Sequence, residues 1–176
     1  MKFTLRTETP SDYQQVEELI AAAFRTAAFT DHREHLLVAR LRKSLSFIPE
    51  LSIVAEWEDQ LIGHILLTKI QISNESENFH SLALAPVSVL PDFQRKGIGA
   101  ALIQAAHQVA TKLGFGSVIL LGHADYYPRF GYQKASTYNI LLPFEAPDEN
   151  CMAIELFEGA LKNVSGTVVY DPAFYE

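Results

Sequence analysis

The sequence has a single cysteine, Cys151, two methionines and one tryptophan among its 176 residues. One thiol cannot close an intramolecular disulfide, and no grouping of Cys and His offers four metal ligands, so neither a staple nor a metal is expected. No stretch approaches the roughly 18 apolar residues of a membrane span. The opening Met1-Lys2-Phe3-Thr4-Leu5-Arg6 lacks the apolar core of a secretory signal. Positive charge is also short: 14 Lys plus Arg face 21 Asp plus Glu, a net charge of −7 that disfavours nucleic acid and anionic membranes as partners. Together these absences predict a cytoplasmic protein, and the length predicts one domain over residues 1–176.

What is present is an ordinary globular mixture, 48% hydrophobic and 20% charged. A chain of this size buries about 70% of its unfolded surface, enough for one core without a cofactor. Phe3 to Arg6 alternates like a short strand. Thr9-Pro10-Ser11-Asp12 then supplies an N-cap and a first-turn proline for a helix through about Phe24, striped by Val16, Leu19, Ile20 and Ala23. A second helix is expected from about Asp31 to Ser44, with His32 and His35 on its polar face. Leu51 to Trp57 and Leu61 to Ile72 read as a hairpin around Glu58-Asp59-Gln60, and Leu82 to Val89 as a further strand. From Ile98 the period lengthens: Ile98, Leu102, Ala105, Val109 and Leu113 predict a helix ending at Gly114. Ser117 to Leu121, Tyr138 to Leu142, Cys151 to Phe157 and Gly166 to Tyr170 complete the strands. This order predicts an α/β (α+β) mixed sheet with helices on both faces.

The most informative segment joins a strand to the amphipathic helix: Val89-Leu90-Pro91-Asp92-Phe93-Gln94-Arg95-Lys96-Gly97-Ile98-Gly99-Ala100. Free N–H groups at a helix start carry about half a positive charge, and glycine lets an anion approach the backbone. Arg95 and Lys96 add two cations. The same glycines could serve only a turn or close packing, but their place between strand and helix favours a phosphate. Walker A is absent, and the dinucleotide fingerprint fails because Leu102 stands where its third glycine belongs.

Gln94-Arg95-Lys96-Gly97-Ile98-Gly99 matches the Gln/Arg-x-x-Gly-x-Gly/Ala signature of the GNAT N-acetyltransferase superfamily. Leu82 to Pro91 resembles that family's fourth strand, and Tyr126 to Tyr132 resembles its Tyr-x-x-x-Gly-Phe/Tyr motif. The run Val118 to Tyr132 and the segment Gly166 to Tyr170 are similar to the YhbS-like acetyltransferases of bacteria. The resemblance covers nearly the whole chain and implies the GNAT acyl-CoA N-acyltransferase fold. It implies acetyl-CoA as co-substrate, with Gln94, Arg95, Lys96, Gly97, Ile98, Gly99 and Ala100 on the pyrophosphate and backbone groups of Val87 and Val89 on pantetheine. It further implies direct attack by a primary amine on the thioester, with Tyr127 protonating the leaving sulfur.

Taken alone, Tyr127 reads equally as an aromatic wedge. For the base, His123 after the fifth strand leads His64, His80 and Glu56. The loop Gly122-His123-Ala124-Asp125 lacks the Asn common in the family. The acceptor, a small-molecule amine or a protein lysine or N-terminus, is not specified, although the acidic balance favours a cation. A homodimer is compatible with the sequence. Two other readings are a non-catalytic acyl-CoA sensor and a binder of another phosphorylated ligand. Cys151 reads as a strand residue.

Overall fold

A computed structural model describes residues 1–176. In chain order it contains β1 (Thr4–Thr7), α1 (Tyr13–Phe24), α2 (Glu34–Leu41), β2 (Ser52–Trp57), β3 (Gln60–Ser73), β4 (Asn78–Val89), α3 (Ile98–Lys112), β5 (Ser117–Leu121), β6 (Gln133–Lys134), β7 (Ile140–Leu141), β8 (Cys151–Glu155) and β9 (Gly166–Val169). The strands belong to one mixed sheet, as the class predicted from sequence requires. No helix is long and apolar enough to cross a membrane. The chain divides into two compact units: Met1–Thr68, Ala85–Val109 and Pro172–Glu176 form the first, and Lys69–Leu84 with Ala110–Asp171 form the second.

In the first unit β1 pairs antiparallel with β2, and β2 with β3. Glu58 and Asp59 both take positive φ, 47° and 62°, so the hairpin closes through a two-residue turn whose twist suits the strands. Before α1, Arg6 grips Asp12 with two hydrogen bonds of 2.7 and 3.0 Å, while the Thr9 N–H donates to Asp12 at 2.8 Å. Val16, Leu19 and Ile20 of α1 and Val38 and Leu41 of α2 cover Val54, Leu61 and Leu66 of the sheet. Each such side chain stabilises the fold by about 1.5–3 kcal/mol. α3 packs against β3 at Gly63. A Cβ there would lie 3.0 Å from both Ile98 Cγ2 and Leu102 Cδ1, so the missing side chain is what lets the helix start sit so close.

In the second unit β5 lies between β4, parallel, and β8, antiparallel; β6 pairs with the other edge of β8. β9 pairs with β3 on one side and β7 on the other. The β4–β5 ladder consists of Leu82–Val118 and Ala83–Ile119 and ends there, although β4 runs on to Val89 and β5 to Leu121.

Three expectations need correction. The second helix is shorter than Asp31 to Ser44, because Phe29 and His32 take positive φ, 60° and 58°, ahead of it. His32 and His35 therefore do not share a helix face; His32 Nδ1 lies 2.8 Å from the Phe24 carbonyl instead. Tyr138 to Leu142 is a one-turn 3-10 helix, Ala135–Tyr138, then a left-handed Asn139 and the two-residue β7. In α3 the buried face runs through Ile98, Leu102, Ile103, Ala106 and Ala110; Ala105 and Val109 flank it, and Leu113, past the helix end, is exposed.

Candidate functional site

Within the first unit, β4 delivers the chain into a turn whose backbone alternates in hand. Arg95 has φ 62° and Gly97 φ 82°, each between residues of negative φ. Positive φ at two positions so close together bends the chain sharply from the end of β4 into the start of α3. The Gly97 carbonyl accepts the first helical bond of α3 from the Ala101 N–H at 3.0 Å, so the amides of Ile98, Gly99 and Ala100 belong to the open first turn. A Cβ on Gly97 would meet nothing within 4 Å. The space beside Gly97 is thus open.

The flanking residues divide their roles. Gln94 is exposed, and its side-chain amide donates to the Val89 carbonyl at 3.1 Å, tying the turn back to the end of β4. Arg95 and Lys96 are exposed cations, and the Lys96 ammonium rides 5.3 Å above the Phe93 ring, which packs on Trp57. Val87 and Val89 are half-buried on β4, beyond the end of its ladder with β5.

Within the second unit, β5 leads into the loop that carries His123 and Tyr127. Tyr127 starts a 3-10 turn and is 8% exposed. Its ring meets Tyr126 edge-on at 5.1 Å and Tyr132 at 5.7 Å. It also lies close against Gly122, where a Cβ would come 2.4 Å from Tyr127 Cε2. Burial, then the neighbouring Tyr126, raise the Tyr127 phenol well above its ordinary value. Tyr126 is braced by Arg129, whose guanidinium stacks 4.6 Å over the ring and donates to the Tyr126 carbonyl. His123 is exposed, and its carbonyl accepts the Tyr126 N–H at 3.2 Å. Asn150 clasps this loop at its root: its carbonyl accepts from the Gly122 N–H and its amide donates to the Gly122 carbonyl, both at 2.9 Å. Cys151, half-buried at the start of β8, has its thiol pushed up by burial and by Asp148, away from the thiolate a nucleophile needs.

Sequence reasoning missed a buried polar group in the first unit. Arg42, just after α2, is 3% exposed and pairs with Glu8, itself 1% exposed, and with Glu17 at 2.7 Å; its guanidinium stacks 4.0 Å over Tyr13. The Ser52 hydroxyl donates to Glu8 Oε2 at 2.5 Å and lies 3.0 Å from His64 Nε2. Burial, with a smaller push from Arg42, lowers the fully buried His64 to about 3. The imidazole is neutral. Nothing in the sequence pattern connects Glu8, Arg42, Ser52 and His64; only His64 was singled out, as a minor candidate.

Comparison with known proteins adds to this geometry. A model of the Acetyltransferase (GNAT) family matches residues 13–132. The uncharacterized N-acetyltransferase YjhQ of Escherichia coli is 34% identical over 149 residues, 84% of this chain and 80% of that protein. A crystal structure of a GNAT family acetyltransferase from Brucella melitensis in complex with acetyl-CoA superposes with a TM-score of 0.79 at 28% identity, covering 98% of each chain. The structure of E. coli YhbS in complex with CoA superposes at 0.88, with 24% identity, covering 100% of this chain and 93% of that one.

Proposed function

Because the chain belongs to the GNAT acetyltransferase family, we propose that it moves the acetyl group of acetyl-CoA to a primary amine by direct attack within a ternary complex. The observation that carries this reading is the alternating-hand turn from Gln94 to Ala100, with open space over Gly97. The pyrophosphate rests on the amides of that turn, assisted by Arg95 and Lys96. Gln94 serves the turn as its brace to Val89. Backbone groups of Val87 and Val89, on the stretch of β4 past its ladder with β5, pair with the pantetheine amides, and one N–H there polarises the thioester carbonyl.

The amine attacks the acyl carbon, the oxyanion collapses, and the C–S bond breaks. Tyr127 donates its proton to the departing sulfur. Its raised pKa keeps the phenol protonated throughout the neutral range. A thiolate forming in an equally dry site is lifted by the same loss of solvation, so donor and acceptor rise together. His123, exposed ahead of Tyr127, is a candidate for the opposite proton transfer. The excess of acidic residues favours a cationic acceptor such as a polyamine or a lysine side chain.

The test is calorimetric titration with acetyl-CoA, with 3′-phospho-ADP and NAD as comparison ligands, then thiol release with spermidine, lysine and an aminoglycoside. Tyr127→Phe keeps the ring in its aromatic cluster. It should bind acetyl-CoA as the parent does while kcat falls roughly 100-fold or more. Binding without amine-dependent thiol release would instead make the protein a sensor of acyl-CoA.

A further inference from the structure

β5 and β8 run antiparallel with Leu121 opposite Cys151, and one step further along Gly122 meets Asn150. A hydrogen-bonded antiparallel pair exchanges two bonds, each N–H donating to the other residue's carbonyl. Only half of that exchange is made by backbone here. The Gly122 N–H donates to the Asn150 carbonyl at 2.9 Å, but the Asn150 N–H turns back to the Pro147 carbonyl at 3.0 Å, closing the one-turn 3-10 helix Asp148–Asn150. The Asn150 side chain supplies the missing donor, and its amide reaches the Gly122 carbonyl at 2.9 Å. Ser or Thr would place its hydroxyl one atom short, and an ionised Asp has no proton to donate.

The completed rung fixes the backbone against which the phenol ring rests. A Cβ on Gly122 would lie 2.4 Å from Tyr127 Cε2 and 3.1 Å from Cδ2, so ring and backbone touch with no side chain between them. Tyr126 and Tyr132 meet the ring edge-on at 5.1 and 5.7 Å. Edge-to-face pairs tolerate centroid separations of about 4.5–7 Å, so these neighbours by themselves leave the ring room to shift. Gly122, held at both its N–H and its carbonyl, does not.

We propose that Asn150 is a positioning residue for the acid step: by completing the rung with Gly122 it sets where the Tyr127 hydroxyl stands. The proposal rests on the reading of Tyr127 as proton donor. Transfer to the departing sulfur needs the O–H within hydrogen-bond reach of that atom, and a displacement of about 1 Å at such a step costs up to about 100-fold in rate. Without the carboxamide the Gly122 carbonyl loses its donor, the seam keeps one hydrogen bond of two, and the backbone under the ring is free to move. Asn150 acts on the reaction only through Gly122 and Tyr127, with no bond of its own made or broken. Its effect therefore falls on kcat, and disappears once residue 127 has no proton to give.

The experiment is steady-state kinetics and acetyl-CoA calorimetry on Asn150→Ala and Asn150→Asp, each alone and combined with Tyr127→Phe, using the panel amine turned over fastest. Rates are taken per folded molecule, counted by the calorimetric stoichiometry. Asn150→Asp keeps the size of the side chain while replacing the donor by an acceptor, and decides the matter if Asn150→Ala fails to fold. Either variant should lower kcat about 10- to 100-fold, no further than Tyr127→Phe does, with acetyl-CoA affinity and the amine KM unchanged. Added to Tyr127→Phe, neither should lower kcat again. A parental kcat in Asn150→Asp, a loss that repeats in full on the Tyr127→Phe background, or a loss carried by KM overturns the positioning role and leaves Tyr127 as donor. A parental kcat in Tyr127→Phe alone removes the donor reading, and this inference with it.

Discussion

Gly97→Ala separates what the turn costs the fold from what it does for a ligand. At φ 82° an alanine sits in the left-handed region, at a cost of about 1–2 kcal/mol. No atom within 4 Å opposes its methyl group, so that backbone cost is the whole of the stability loss. For a chain of this length it corresponds to a fall in Tm of roughly 2–8 °C. Gly159 supplies a matched control: φ is 80°, nothing lies within 4 Å, and it stands far along the sequence in the second unit. The two alanine variants should therefore melt alike. They should differ in calorimetry, because under the proposed assignment the methyl on residue 97 takes up space the pyrophosphate needs. Loss of one charge-assisted hydrogen bond, about 1.5–3 kcal/mol, weakens acetyl-CoA roughly 10- to 100-fold. Gly159→Ala should bind as the parent does. Equal affinities for both variants, with equal melting, would refute the assignment of this turn to the pyrophosphate.

Gly63→Ala should cost about 1–3 kcal/mol by overpacking against Ile98 and Leu102. It should also weaken acetyl-CoA despite lying outside the turn, since it displaces the start of α3; thermal melts and calorimetry on one sample check both effects. For pH, the neutral His64 is favoured by the fold, so its contribution is complete above the unfolded value of about 6.5 and is lost as pH falls toward about 3, at up to about 1.4 kcal/mol per pH unit. His107, lowered by burial to about 4, adds a second slope of the same sign. Urea titrations between pH 4 and 8 should show a shallower acid decline for His64→Gln than for the parent, and parallel curves would contradict the buried neutral imidazole.

The parts legible in the sequence were those fixed by neighbours in the chain. Pro10 with its flanking residues marked the start of α1, Glu58-Asp59 the hairpin, and Gln94 to Ala100 the turn. Periodicity located α3, but the deepest contacts fell on Ile103, Ala106 and Ala110, because the sheet beneath chooses which flank of a broad apolar stripe is covered. The shortened α2 was invisible because Thr30 to Arg33 has helix-compatible residues, and only the φ of Phe29 and His32 excludes them. The Glu8–Arg42–Ser52–His64 group was beyond reach for another reason. Its members are 34, 44 and 12 residues apart along the chain, and a lone buried Glu or Arg carries no local signature until the strands are set side by side.

The clasp of Asn150 on Gly122 bears on how this enzyme can diversify. Asn150 ends the acidic segment that begins at Pro143, and Gly122 opens the loop that ends in Tyr127. Two hydrogen bonds across that seam hold the root of the tyrosine loop by backbone and amide alone, with no dependence on the segment's other side chains. Residues 143–149 can therefore drift, lengthen or change charge while the phenol keeps its footing. The seam acts as a bulkhead, with room for variation on one side and Tyr127, the proposed proton donor, on the other.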